Sequence, residues 1–262
     1  MIKLVVSDLD GTLLDDKKQL PPSFHEIYNQ LRDKGITWVF ASGRQYYTMA
    51  DQFGDYLPDI YLLAENGSMV MKGNQLIHID PLDEVLVPEL IRRGREVNDA
   101  WPILCCQNSA YVEDNHEPLL KEARKYYKKL EMTDDLTQVD DKALKFTLCD
   151  FISSEENSYH HYKDLQDKCR VAVAGEIWLD MTNKSATKGN AMKYIMQHCD
   201  VSPDEIMVFG DYLNDIEMLK LTPNSYAMKN SHPDLFEAAA HVTRFDNNEH
   251  GVVKVLEEYF KL

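Results

Sequence analysis

No apolar run in this chain approaches the roughly 20 residues needed to span a bilayer, so no membrane partner is expected. A signal-peptide pattern is also missing, because the short apolar start meets Asp8 at once. Cysteine is scarce and odd in number: Cys105, Cys106, Cys149, Cys169 and Cys199. They form no CxxC spacing, which argues against a disulfide framework or a zinc site and for a reducing, cytoplasmic compartment. The adjacent Cys105 and Cys106 read as strand filling. Basic residues are in deficit, 28 Lys and Arg against 44 Asp and Glu, and no arginine-rich stripe occurs. Nucleic acid is therefore not an expected partner. With a formal charge of −16, a site for an anionic ligand must supply its own local positive charge. Repeats, low-complexity tracts and long linkers are absent too.

What remains has the composition of an ordinary globular protein, long enough for one large α/β domain or a core with an insertion. A monomer or homodimer is expected. "IKLVVS" (2–7), "ITWVFASGR" (36–44) and "DIYLLAENG" (59–67) read as buried strands. Helical spacing over 22–35 and a helix near 45–53 separate them. That alternation predicts a parallel sheet with crossover helices. After Gly67 the pattern changes. A hairpin around Lys72-Gly73-Asn74 leads into helices at 84–99, 117–130 and 156–168. Short strands are expected among them at 103–107, 110–113, 145–151, 170–174 and 177–181. The first texture then returns: a helix at 187–199, a buried strand "EIMVFGD" (205–211), helices at 213–221 and 233–240, a strand at 225–231 and a closing helix at 251–260. The reading is a doubly wound, Rossmann-like parallel α/β core, residues 1–82 and 183–262, interrupted by an inserted α+β cap domain, residues 83–182.

Open parallel sheets bind ligands beyond the carboxyl ends of their strands. Asp8 and Asp10 follow the first strand, and Ser42, Gly43 and Arg44 follow the second. Asp211, Asn214 and Asp215 follow the strand at 205–210, and Lys188 opens the helix after the insertion. Two like charges 4 Å apart repel by about 4 kcal/mol at an effective dielectric near 20, so clustered carboxylates call for a cation. Mg²⁺ suits such hard oxygens, taking one or two carboxylates plus a phosphate oxygen. With that charge screened by the metal and Lys188, Asp8 can attack a phosphoryl group and form an aspartyl-phosphate. Asp10, two residues on, projects to the same side, placed to protonate the leaving oxygen and then to activate water. Gly11 lets the chain turn sharply, and Thr12 is expected to bond within that turn. Ser42 and the Gly43 N–H, at a strand-to-helix junction, suit phosphoryl oxygens. Of Asp211 and Asp215, on one helix face, the nearer would hold Mg²⁺; the other would hold a metal-bound water or orient Lys188. Arg44 and Asn66 are candidates for contact with the rest of the substrate. His160 and His161 read as a solvated face, Asn183 and Lys184 as hinge residues, and Trp38 and Trp178 as packing.

"DLDGT", "ASGR", "TKG" and "GDYLND" resemble, in order and spacing, the four motifs of the haloacid dehalogenase-like superfamily. With "AENGS" (64–68) and "FDNNEHGV" (245–252), the pattern is similar to its Cof-type branch of sugar and small-metabolite phosphatases. The resemblance covers 1–82 and 183–262 and implies Asp8 as nucleophile and Asp10 as acid/base. It implies a metal held by the Asp8 side chain, the Asp10 carbonyl and Asp211, with Ser42 and Lys188 on the phosphoryl group. It also implies a large α/β cap between the second and third motifs, where no substrate signature is recognised. The expected function is Mg²⁺-dependent hydrolysis of a small phosphorylated metabolite, a sugar phosphate by this resemblance. A phosphomutase of the same fold is the alternative. A non-enzymatic phospho-accepting regulator fits less well, because such domains lack a hundred-residue insertion and accept phosphate on an acid after a middle strand.

Overall fold

The computed structural model describes all 262 residues. The chain runs β1 (Leu4–Asp8), α1 (Phe24–Asp33), β2 (Thr37–Ala41), α2 (Tyr46–Gln52), β3 (Tyr61–Ala64), β4 (Met69–Lys72) and β5 (Gln75–Ile79). It continues α3 (Val87–Gly94), β6 (Ala100–Cys106), β7 (Ala110–Val112), α4 (Glu117–Ala123), β8 (Leu130–Met132), β9 (Ala143–Asp150), β10 (Arg170–Gly175) and β11 (Trp178–Thr182). It closes with α5 (Lys188–Cys199), β12 (Ile206–Gly210), α6 (Ile216–Leu219), β13 (Ser225–Ala227), α7 (Leu235–Ala238), β14 (His241–Val242) and α8 (Gly251–Phe260). Two compact units result: residues 1–43, 54–78 and 187–262, and residues 44–53 and 79–186. No helix is long and apolar enough to cross a membrane.

The first unit is built on an eight-stranded sheet in the order β14-β13-β12-β1-β2-β3-β4-β5. The six strands from β14 to β3 are parallel, and β4 is antiparallel to β3. β1 and β12 have every residue buried, as their unbroken apolar runs require of strands covered on both faces. Successive β2 side chains point to opposite faces. Val39 and Ala41 join the α5 residues Ala191, Met192 and Ile195 in one core. Trp38 and Phe40 meet Phe24 of α1, with ring centroids 5.2 and 6.0 Å away. Each fully buried large apolar side chain contributes roughly 1.5–3 kcal/mol. Strand order runs outward from β1 through β2 to β3 on one side and from β12 through β13 to β14 on the other. The switch point, where a ligand crevice opens in such sheets, therefore lies between the ends of β1 and β12.

The second unit carries a six-stranded sheet, β10-β11-β9-β6-β7-β8, antiparallel except for β7 beside β8. All eight residues of β9 are buried, and α3 packs Leu90 and Ile91 against its Phe146 and Leu148. Leu119 and Ala123 of α4 cluster with Ile103, Cys105 and Cys149.

Four local expectations change. The segment at 45–53 does not group with the first and third stretches of chain, because the Gln45 side chain bonds the Lys129 backbone in both directions, at 2.9 and 3.1 Å. Thr48 Oγ1 also donates to the Tyr126 carbonyl at 2.8 Å. The helix expected over 84–99 is confined to Val87–Gly94, opening on Pro88 in its first turn. The helix expected over 117–130 stops at Ala123, and Leu130–Met132 pairs instead with β7. The helix expected over 156–168 is replaced by short 3₁₀ turns at Ser158–His161 and Lys163–Leu165. There buried Asp150 takes the N–H groups of Ile152, Ser153 and Ser158 at 2.9, 3.2 and 2.9 Å, a side-chain alternative to a helical start.

Candidate active site

Asp8 is the last residue of β1, and Lys188 is the first residue of α5. The sequence starts that helix on Thr187, whose side chain accepts from the Asn190 N–H at 3.1 Å. Lys188 Nζ, fully shielded from solvent, donates to Asp8 Oδ1 at 2.5 Å and to Asp215 Oδ1 at 2.6 Å. Burial works against its charge, but the Asp215 and Asp8 carboxylates outweigh that penalty and raise its pKa. The second Asp215 oxygen accepts from the backbone N–H of Asp211 and Tyr212 at 3.0 and 3.1 Å. Asp215 thus serves Lys188 and its own loop, which favours the orienting role over the water-holding one.

Thr12 bonds within its turn through its N–H, on the Leu9 carbonyl at 3.4 Å, but its hydroxyl reaches further and donates to Asp211 Oδ1 at 2.7 Å. The reason is the approach of two chain segments. Gly11 has φ +86°, and a Cβ there would lie 2.4 Å from Asp211 Oδ2. Only glycine permits both that conformation and that closeness.

Carboxylate oxygens of Asp8, Asp211 and Asp215 lie within 4.8 Å of one another. One ammonium cannot neutralise three such groups. Burial raises the Asp8 pKa well above its usual range, with Lys188 lowering it and Asp215 and Asp211 adding to the rise. Asp211 is pushed up to about 6, again first by burial, against the Thr12 hydrogen bond and with repulsion from Asp215. All the side-chain donors are hard oxygens, so the cluster has the chemistry and the charge deficit that suit a divalent cation such as Mg²⁺.

The other expected residues are placed as follows. Asp10 forms an ion pair with Lys18 at 2.7 Å. Ser42 is buried just past β2, its N–H on the Leu63 carbonyl at 2.8 Å. Gly43 lies against the Asn66 amide, and Asn214 donates to Asn66 Oδ1 at 2.9 Å. Arg44 groups with the second unit and donates to Gln52 at 2.6 Å. His160 and His161 are exposed, and Trp38 is core. Asn183 donates to the Asp80 carboxylate at 2.7 Å and to the Pro81 carbonyl at 3.0 Å.

Sequence reasoning assigned no task to three asparagines that brace the loop after Asp10. Asn230 donates to the Gly11 carbonyl at 2.8 Å. Buried Asn247 donates to the Leu14 carbonyl and to Asp16, both at 3.1 Å, and Asn248 donates to Asp16 at 3.1 Å. The signal for the last two was the stretch "FDNNEHGV".

A family model described as haloacid dehalogenase-like hydrolase matches residues 5–256. The 5-amino-6-(5-phospho-D-ribitylamino)uracil phosphatase of Escherichia coli (strain K12) is 29% identical over 265 residues, covering 99% of this chain and 97% of that protein. The HMP-PP phosphatase of Cronobacter sakazakii is 23% identical over 247 residues, covering 92% and 89%. A crystal structure of a protein from Eubacterium rectale is similar over 98% of this chain and 99% of its own, with a TM-score of 0.90 and 29% identity. With this match across nearly the whole chain, on a parallel core whose strand ends gather Asp8, Lys188, Asp211 and Asp215, the protein belongs to the haloacid dehalogenase-like hydrolase family.

Proposed function

We propose that this protein is a cytoplasmic phosphatase that hydrolyses a small phosphorylated metabolite through an aspartyl-phosphate on Asp8, with Mg²⁺ as cofactor. The reading rests above all on buried Lys188 bridging Asp8 and Asp215 beside Asp211. Two relatives named as phosphatases of phosphorylated small molecules support it. Asp8 and Asp211 would hold Mg²⁺ with their carboxylates, and Asp10 with its carbonyl. Bound there, the ion would supply positive charge against the excess of carboxylate and Lewis acidity toward a phosphoryl oxygen.

An Asp8 carboxylate oxygen attacks phosphorus, and the ester P–O bond breaks. Asp10 gives its proton to the departing alcohol oxygen. A water then attacks the phosphorus of the aspartyl-phosphate while Asp10 takes its proton. The P–O bond to Asp8 breaks, releasing inorganic phosphate and restoring the carboxylate. Lys188 keeps Asp8 oriented and screens its charge against the incoming anion, while Ser42 and the Gly43 N–H hold phosphoryl oxygens. In this reading, residues 1–82 and 183–262 do the chemistry and the insertion, 83–182, selects the substrate.

The test is phosphate release from a panel of sugar phosphates, nucleotides and cofactor phosphates, with and without Mg²⁺. Release that depends on Mg²⁺ is expected, with one substrate class preferred. Isomer formation without phosphate release would instead mark a mutase.

A further inference from the structure

The chain does something costly just after β3. Glu65, Asn66 and Gly67 take φ values of +49°, +55° and +107°, three left-handed residues in succession. Only the third is glycine, and side-chain-bearing residues rarely adopt that region, asparagine being among those that tolerate it best. Backbone strain of this kind persists only where the surroundings over-determine it, and it gathers at functional sites.

The turn touches three other segments of the first unit. The Asn66 N–H donates to the Ser42 carbonyl at 3.0 Å, and a Cβ on Gly43 would lie 3.0 Å from Asn66 Nδ2. Asn66 Oδ1 accepts from Asn214 Nδ2 at 2.9 Å, in the short turn Leu213–Asp215 that ends on the partner of Lys188. Gly67 lies so close to α5 that a Cβ there would sit 2.3 Å from the Thr187 carbonyl oxygen and 3.1 Å from the Lys188 nitrogen. One three-residue turn thus meets the end of β2, the acidic loop and the start of α5.

We infer that Asn66 is a positioning residue, the centre of a clamp that fixes the turn at Ser42–Gly43 against the loop carrying Asp211 and Asp215. This inference rests on the phosphatase reading for its kinetic consequences. It differs from a substrate contact, because the Asn66 side chain is engaged by Asn214 and packed on Gly43. Asparagine supplies the left-handed backbone and a carboxamide without charge; aspartate would set a negative group beside a turn meant for an anion.

The test uses the full chain with Asn66→Gly, which keeps the positive φ and deletes the amide, together with Asn214→Ala and the double variant. Thermal melting, Mg²⁺ dependence, kcat and KM on a nitrophenyl phosphate and on the best natural ester, and calorimetric binding of inorganic phosphate with Mg²⁺ are measured. Asn66→Gly is expected to melt close to wild type and keep its Mg²⁺ dependence. Its kcat should fall about 10- to 100-fold on every substrate, as displacement of a phosphoryl-binding group does. It should also bind inorganic phosphate more weakly. Asn214→Ala should behave alike, and the double variant should be no worse than the poorer single one. Unchanged phosphate binding with KM raised for only one ester would overturn the clamp in favour of substrate contact. Additive losses in the double variant would overturn it as well. Should Asn66→Gly not fold, Asn66→Asp, which keeps an acceptor for Asn214 but adds charge, must weaken phosphate binding for the clamp to stand. If the wild type releases phosphate from no ester, the phosphatase reading fails, while phosphate binding by the variants still judges the clamp.

Discussion

Each unit buries one lysine, and the two lysines live differently. Lys188 has no exposed side-chain surface and touches two carboxylates, one 180 residues away in sequence and one 27. Lys145, the third residue of β9, retains 8% side-chain exposure and stands 3.6 Å from Asp180 on the neighbouring strand β11, over the Tyr127 ring at 5.6 Å. The second is a diagonal cross-strand pair that any antiparallel sheet can make. The first needs loops from distant parts of the chain to meet at one sheet edge, and it leaves more negative than positive charge underground. A structural ion pair balances its charges; this site is left short of a cation.

The largest expected effect is on turnover. Asp8→Asn keeps the shape of the side chain and removes the nucleophile, so kcat should fall by about 10³-fold or more while far-ultraviolet dichroism stays unchanged. Retained activity would move the chemistry to another residue. Next comes the contrast between the lysines. Lys188→Met abandons two buried carboxylates and should cost about 3–5 kcal/mol in urea unfolding at pH 7. Lys145→Met leaves one partly exposed carboxylate, Asp180, without its partner and should cost less, about 1–3 kcal/mol. Equal losses would erase the distinction between the two pairs.

A third effect depends on pH. The Asp211 pKa of about 6 is raised above its unfolded value. A raised group favours the fold most below the unfolded pKa, about 3.9, and that advantage is lost as pH climbs through 6. In metal-free protein, Asp211→Asn should therefore add roughly 3 kcal/mol at pH 8 and almost nothing at pH 4. The same variant should weaken Mg²⁺ activation. A stability gain equal at both pH values would deny that Asp211 carries the excess charge. The smallest effect belongs to an exposed pair of the second unit. Lys128 and Asp51 are 2.9 Å apart, each with 58% of its side chain exposed. Lys128→Ala should change stability by less than about 0.5 kcal/mol.

Much of this is legible in the sequence. The apolar runs at β1 and β12 could only be doubly covered strands, and a parallel sheet brings its strand ends to one edge. Asp8, Lys188 and Asp211 stand at such ends or helix starts, so their gathering follows from the topology. The docking of α2 was illegible because Gln45 and Lys129 lie 84 residues apart and bond partly through backbone, which leaves no periodicity. The Thr12 bond to Asp211 was missed for the same reason, at a separation of 199. In the second unit, Asp150 and the β7 partner overrode helical spacing, a tertiary decision that no local window contains.

The most direct measurement is acid quenching during turnover, followed by peptide mapping of the trapped protein. A phosphoryl adduct on Asp8, absent from Asp8→Asn, is the predicted result. Turnover with no adduct on Asp8, or with the adduct on a different side chain, would contradict the account.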